Sequence, residues 1–400
     1  MSDVVVRSEV TRISMRETTD DGTVGNLRIL VVTETFLPQV NGVVNSVLRI
    51  LEHMAARGHD LMVVAPGPGP ESVSGVNVVR TRSVGLPMYR ELRIGVSRKE
   101  LARAIESFGP DVIHVAAPTI LGNIALKEAQ RRGIPTVSVY QTDLAGFASR
   151  YHLSIANSGI WSHTVRVHRR SGLSLAPSTA AMWDLRHRGV PHVKRWMRGV
   201  DGVKFAPSHR DEEWRRRLAP DGQVIVGYVG RLAREKQVDR LVDVSCMPNV
   251  KLVIAGDGPH RSRLERDMPT AHFTGFLQGQ ELSRCYASLD LFVHTGIDET
   301  FCQSVQEALA AGVPVVAPAR GGPLDLVRHG ENGYLWSPDS EVSLIGAVSE
   351  LVENSIKREK MASRARESVI ERTWTSVMSE LEGHYRSVVS GLEFAYRELR

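Results

Sequence analysis

Short β-branched runs alternate with helix-period segments along most of the chain. Residues 27–32 (LRILVV) predict a buried strand and residues 42–56 an amphipathic helix. Further strands are expected at 61–65 (LMVVA), 112–115 and 136–140 (TVSVY). Alternation of this kind implies a parallel sheet with helices on its faces. The pattern restarts at 223–229 (QVIVGYV), with strands to follow at 250–255, 289–294 and 313–317. Residues 303–311 are apolar at helical spacing and stop at Gly312-Val313-Pro314, a C-terminal signal. A long helical tail is expected from about Val342. The fold class is therefore α/β, with two doubly wound units in tandem. Residues 199–222, rich in Pro, Gly and charge, read as the linker. Ligands of such sheets bind beyond the carboxyl ends of the strands, so two facing units would enclose a cleft.

Composition narrows the function classes. A chain of 400 residues suits two cores better than one, and 42% hydrophobic with 24% charged residues describes a globular protein. No apolar run approaches the ~18 residues that span a bilayer. Residues 1–26 are polar, lack the apolar centre of a signal peptide and read as a flexible extension. Three well-separated cysteines, Cys246, Cys285 and Cys302, argue against a disulfide framework or zinc site and suit a reducing cytosol. Charge is uneven. Residues 27–205 hold 23 Lys and Arg against 12 Asp and Glu, a net of +11, whereas residues 206–400 hold 24 against 28, a net of −4. The first half is the one to meet an anionic partner such as a phospholipid surface or acidic substrate, or else carries an inert basic face. The cations are not interleaved with stacking aromatics, which disfavours nucleic acid.

Candidate chemistry lies in the loops after strands. Arg231 and Lys236, in GRLAREK, follow a strand that ends at Gly230. A guanidinium and an ammonium there suit a diphosphate leaving group, or they are surface cations opening a helix. Glu299 and Glu307 lie eight positions apart across a loop-to-helix junction, where a helix N-terminus favours phosphate and a carboxylate can hold ribose or sugar hydroxyls. Either glutamate alone would read as a cap or a solvated helix residue. Asn41 and Gly42 occupy the first βα turn, and Gly321–Gly322 follows a later strand with main-chain N–H groups to offer. Gly256, Gly275 and Phe276 follow two more strands where a nucleobase could lodge. His114 and His294 each close a strand, although a structural role is the stronger reading for both. There is no Asp-x-Asp, Walker loop, Cys/His spacing or dinucleotide fingerprint, so neither a metal nor a cofactor is expected.

With these residues in hand, the chain resembles the retaining glycosyltransferases of family 4, which have the GT-B fold: two Rossmann-like domains facing a central cleft. The resemblance rests on the E-x7-E element Glu299…Glu307, GRLAREK, the Gly42 loop and the Gly321–Gly322 loop, and it covers nearly everything after Asn26. TETFLPQVNGV, VYQTDLAGFA, APSTAAM, RGVD and HTGIDETFCQSVQEALA look like the actinobacterial GDP-mannose-dependent α-mannosyltransferases that mannosylate glycolipids. The resemblance implies an acceptor domain over residues 27–205, a nucleotide-sugar domain over 206–375, and a C-terminal helix, 376–400, packing back on the first. Arg231 and Lys236 would hold the diphosphate. Glu299 would bind donor hydroxyls, helped by the backbone of Phe301, Cys302, Gln303 and Ser304. Glu307 would hold the ribose, and Gly42 would lie near diphosphate and acceptor. Many relatives carry His where this chain has Gln141, and Gly where it has Cys302. Gln141 or Asp143 would then make the sugar contact. The implied reaction is transfer of mannose from GDP-mannose to a lipid-linked acceptor at the cytoplasmic face of the membrane. The protein would sit there peripherally, with Arg49, Arg57, Arg166, Arg169 and Arg170 on anionic lipid. Alternatives are a UDP-sugar enzyme acting on a soluble acceptor such as inositol phosphate, a non-catalytic nucleotide-sugar sensor, and a nicotinamide dehydrogenase, the last weakened by the missing fingerprint.

Overall fold

A computed structural model describes residues 25–39, 41–86, 89–141, 157–337 and 343–391. The extension expected before Asn26 lies almost wholly outside them, as does Asp143. Two sheets organise the chain. The first contains β1 (Arg28–Val32), β2 (Asp60–Pro66), β3 (Ser72–Val73), β4 (Val76–Thr81), β7 (Val112–Val115), β8 (Thr136–Val139), β9 (Leu173–Ala176) and β10 (Val193–Arg195), in the order β10-β9-β8-β7-β1-β2-β4-β3. Its pairings are parallel except β3 with β4. A separate antiparallel ribbon pairs β5 (Ser83–Leu86) with β6 (Tyr89–Gly95). The second sheet is wholly parallel: β11 (Val224–Val229), β12 (Val250–Ala255), β13 (His272–Gly275), β14 (Leu291–Val293), β15 (Val315–Pro318) and β16 (Gly333–Trp336), ordered β13-β12-β11-β14-β15-β16. Ile29, Leu30, Val31 and Val32 are fully buried, as strands covered on both faces must be.

Strand order reverses between β1 and β7 in the first sheet and between β11 and β14 in the second. Such switch points open a crevice at the carboxyl ends of the strands. The Gly42 loop, GRLAREK and HTGIDE all leave strands that border these crevices.

Helices cover the faces. α1 (Gly42–Ala56) buries Val44, Val47, Ile50, Leu51 and Met54 on one stripe. The last described helix, Trp374–Val389, packs on that stripe through Val377, Met378, Leu381, Tyr385 and Val388. Each such side chain contributes roughly 1.5–3 kcal/mol of burial. Trp196 Nε1 donates to the Val377 carbonyl at 3.0 Å, and Arg57 reaches Glu382 at 3.2 Å. The chain thus crosses between the sheets twice. The crossings touch: Val200 N–H donates to the Arg372 carbonyl at 2.9 Å, and Val200 bridges to Thr373. No described helix is long and apolar enough to cross a membrane.

Differences from the sequence reading have local causes. Residues 289–290 leave the expected strand because Asp290 turns aside to accept from Arg210, Arg215 and the Ile225 N–H. Val313 is drawn into the preceding helix end, its N–H donating to Ala308 at 3.0 Å. The expected linker is helical at Glu212–Leu218, where Asp211 caps the Trp214 N–H at 2.8 Å.

Candidate active site

The second-sheet crevice is built by main chain pressed against main chain. Gly230 N–H donates to Ala255 O at 3.0 Å, and a Cβ on Gly256 would lie 1.9 Å from the Gly230 carbonyl oxygen. Beyond Gly230 the chain makes a 3-10 turn, Arg234–Lys236, not the start of a long helix. Thr295 Oγ1 donates to the Lys236 carbonyl at 2.7 Å and fixes that turn to the end of β14. The side chains then converge. Lys236 Nζ lies 2.5 Å from Glu299 Oε1, and His294 Nε2 lies 3.4 Å from the same oxygen. Gly296 makes room, since a Cβ there would sit 3.2 Å from His294 Nε2 and 3.3 Å from Glu299 Oε1. The Tyr228 ring stacks on His294, with centroids 6.4 Å apart.

Mutual attraction sets the charges. Burial opposes ionisation of Glu299, but Lys236 and His294 outweigh it and hold its pKa near about 2. Burial likewise opposes the Lys236 charge, and Glu299 reverses the balance and raises its pKa. For His294, Cys302 and Glu299 overcome burial and raise the pKa to about 9. The two cations expected from GRLAREK therefore have different partners. Lys236 binds Glu299, while Arg231 is 59% exposed and stands 3.9 Å from Glu235.

Helix Gln303–Ala310 follows Glu299. Its N-cap residue, Cys302, has no side-chain cap bond, so the first-turn N–H groups remain available to an anion. Cys302 has φ 81°, in the left-handed region that favours glycine. This gives physical content to glycine at that place in related sequences. Both Cys302→Ala and Cys302→Gly remove the thiol, but only glycine relieves the backbone. We expect Cys302→Gly to be the more stable of the two by about 1 kcal/mol. Equal melting temperatures would contradict the strain assignment. Phe301 is buried, Ser304 Oγ lies 3.7 Å from Cys302 Sγ, and Gln303 Nε2 donates to the Gly199 carbonyl at 3.1 Å. Glu307 is not a solvated helix residue. It accepts from Tyr286 Oη at 3.0 Å, and burial lifts its pKa to about 7.

The glycine pair is packed against the Glu299 loop. Gly322 N–H donates to the Glu299 carbonyl at 2.8 Å, so that donor is already engaged. A Cβ on Gly321 would lie 2.5 Å from the Glu299 carbonyl oxygen, and one on Gly322 would lie 2.1 Å from that of Phe301. The pair lets this loop pack directly beneath Glu299–Phe301. At the sheet edge Gly256 N–H donates to Gly275 O at 2.8 Å, and Phe276 beside it is 71% exposed, a free aromatic face.

The first-sheet wall is also engaged. Asn41 Oδ1 accepts from the Val43 and Val44 N–H groups, both at 3.0 Å, so its side chain caps α1. The Gly42 carbonyl accepts from Arg198 at 2.9 Å. Gln141 is 9% exposed, and its amide is used on both sides: Nε2 donates to Ala116 O at 2.9 Å, and Oε1 accepts from Arg198 at 2.6 Å. Thr300 Oγ1 crosses from the second sheet to the Gln141 carbonyl at 3.1 Å. A cavity of about 220 Å³ between the lobes is lined by Tyr140, Ser178, Asp184, Glu299, Thr300 and Gly321.

Sequence reasoning set His294 aside and did not single out Gly296, Tyr286 or Arg198. The available signal was position, because His294 and Gly296 share the loop that carries Glu299. His114 is structural: it is buried and its Nδ1 lies 2.9 Å from Tyr385 Oη.

Residues 210–368 match the family described as glycosyl transferases group 1, and residues 40–202 match glycosyltransferase family 4. The chain is 48% identical over 369 residues to a GDP-mannose-dependent alpha-mannosyltransferase of Mycobacterium tuberculosis, covering 90% of this chain and 97% of that protein. It is 42% identical to a Corynebacterium glutamicum protein of the same description, covering 91% and 90%. Among solved structures, an Anabaena protein in complex with UDP aligns with TM-score 0.73 at 21% identity, over 90% of this chain and 100% of that one. A sucrose-phosphate synthase from Thermosynechococcus elongatus aligns with TM-score 0.73 at 18% identity, over 91% and 100%.

Proposed function

The chain belongs to glycosyltransferase family 4 and has the GT-B fold, and from that premise we propose that it transfers mannose from GDP-mannose to a hydroxyl of a lipid-linked acceptor with retention of configuration. The observation that carries the reading is Lys236, Glu299 and an uncapped helix N-terminus gathered at one switch point. Donor hydroxyls would donate to Glu299. The diphosphate would draw on Lys236, Arg231 and the N–H groups of the helix that starts at Gln303. Charge grows on the leaving phosphate as its bond to the anomeric carbon lengthens, and fixed donors there lower the barrier. The acceptor oxygen attacks from the same face, its proton passes to the departing phosphate oxygen, and GDP leaves. The exposed Phe276 face suits a nucleobase. The decisive experiment supplies purified protein with labelled nucleotide sugars and membrane lipid extract and identifies the product by mass. Transfer from a UDP-sugar alone would replace the donor assignment.

Glu307 makes this reading testable by proton counting. Ribose hydroxyls donating to its carboxylate would stabilise the ionised form and lower a pKa that burial lifts to about 7. GDP binding at pH 7 should then release a fraction of a proton, roughly half at most. Calorimetry in buffers of different ionisation enthalpy reads this directly. The release should vanish in Glu307→Gln, and its persistence there would assign it elsewhere.

For the proposed membrane contact, one surface has the better support. Of the cations expected on lipid, Arg49 pairs with Glu52 at 2.9 Å and Arg57 with Glu382 at 3.2 Å, which leaves them poor candidates. Arg166, Arg169 and Arg170 gather with Arg188 and Trp161 around a broad depression. Reversing Arg166 and Arg170 to glutamate should weaken sedimentation with phosphatidylserine or phosphatidylinositol vesicles by roughly 30-fold or more, at about 1 kcal/mol for each arginine lost near the surface. Unchanged sedimentation would move the contact elsewhere.

A further inference from the structure

Arg198 lies in the first crossing between the lobes, outside both sheets. Its main chain belongs to the second lobe's site, because the Arg198 carbonyl accepts from Gln306 Nε2 at 3.0 Å and the next carbonyl, of Gly199, accepts from Gln303 Nε2. Its side chain belongs to the first lobe's site. One terminal nitrogen donates to the Gly42 carbonyl and the other to Gln141 Oε1. Both partners are neutral oxygens, and among the described residues no carboxylate lies within ion-pair distance of this guanidinium. A partly buried cation without a counter-charge is costly, and the cost is recovered when an anion arrives. Burial lowers the Arg198 pKa to about 10, so the group remains a cation at neutral pH.

Position says which anion. Gly42 opens α1 and Gln141 follows β8, both at the carboxyl edge of the first sheet. Gln141 is hydrogen-bonded to Thr300, the neighbour of Glu299. Lys236 is held by Glu299, Arg231 leans toward Glu235 and Arg320 toward Asp298, whereas Arg198 has no acidic partner among the described residues. A guanidinium with further N–H groups left to donate matches a diphosphate.

We propose that Arg198 is a further binding residue for the donor's diphosphate, presented from the first-lobe wall of the cleft and held in place by Gly42 and Gln141. This rests on the nucleotide-sugar reading above and adds to it a residue from the crossing. In this chain Gln141 serves chiefly to orient Arg198.

The test compares GDP, GMP and guanosine binding to the wild-type protein, Arg198→Lys and Arg198→Gln, with melting temperature measured alongside. Arg198→Gln is expected to weaken GDP by roughly 10- to 100-fold, from the ~1.5–3 kcal/mol of a charged hydrogen bond, with guanosine unchanged and the salt dependence of GDP binding reduced. Arg198→Lys should fall between. Equal loss of GDP and guanosine, or GDP affinity unchanged in a folded Arg198→Gln, would overturn the proposal and leave Arg198 a purely structural tie. If Arg198→Gln fails to fold, Arg198→Lys carries the same comparison. A wild-type protein that binds no nucleoside diphosphate would instead sink the underlying functional reading.

Discussion

Replacing Lys236 with alanine is expected to lower turnover by roughly 10²- to 10³-fold in a protein that still folds, the usual effect of removing one preorganised charge from a transition state. Two losses combine. The leaving diphosphate loses an ammonium, and Glu299 loses the partner that orients it at 2.5 Å. The second loss has a signature in stability. Glu299 has a folded pKa of about 2, below that of an unfolded glutamate at about 4.3. Its contribution is therefore present above the unfolded value and disappears as pH falls toward the folded one. Without Lys236 the folded pKa rises, so the variant should lose part of this stabilisation at pH 7, and its deficit should shrink as pH falls through 4. Single-turnover consumption of GDP-mannose, with melting temperatures at pH 7 and pH 4, would measure both. Near-normal turnover in a folded Lys236→Ala protein would remove Lys236 from the chemistry.

The second large effect is expected at Gly322, which touches no substrate in the proposed reading. A methyl group there would lie 2.1 Å from the Phe301 carbonyl oxygen and 2.3 Å from its carbon. The obstacle is backbone and cannot swing aside. Residues Glu299–Phe301 must shift, and a displacement of about 1 Å at a reacting centre can cost about 10²-fold in rate. We expect kcat/KM for Gly322→Ala to fall by about that factor, with an overpacking cost of roughly 1–3 kcal/mol. Gly383→Ala is the matched control: it sits in the last described helix with nothing within 4 Å of the added carbon. It should be neutral or slightly stabilising. Comparable activity in both variants would show that the Glu299 loop tolerates movement.

The architecture was legible because periodicity is a property of the whole chain. Strands such as Val224–Val229 are uninterrupted apolar runs, and α1 keeps one buried stripe for its full length. The position of Glu299 before a helix was legible for the same reason, since Gln303–Ala310 announces itself by spacing. The partnerships were not. Lys236 and Glu299 are 63 residues apart and meet only because β11 and β14 are neighbours at the switch point. Two cations close in sequence suggested one shared role, but not that a carboxylate would hold one of them. Gly321–Gly322 was legible only in part. A glycine pair shows that the backbone needs space, but not whether a phosphate or another stretch of chain fills it. Arg198 carried no periodic signal at all, because its meaning comes from two loops of one lobe and a helix of the other.

The two contacting crossings at Val200 and Thr373 have a mechanical consequence. Bodies joined through neighbouring, mutually bonded tethers can pivot about the joint with little strain. Sliding past one another, or drawing apart, would break the Val200–Arg372 bond and prise Gly199 from Trp374. Opening for a new donor is then chiefly a swing about a fixed corner, and Arg198, two residues from Val200, travels little as the jaws move.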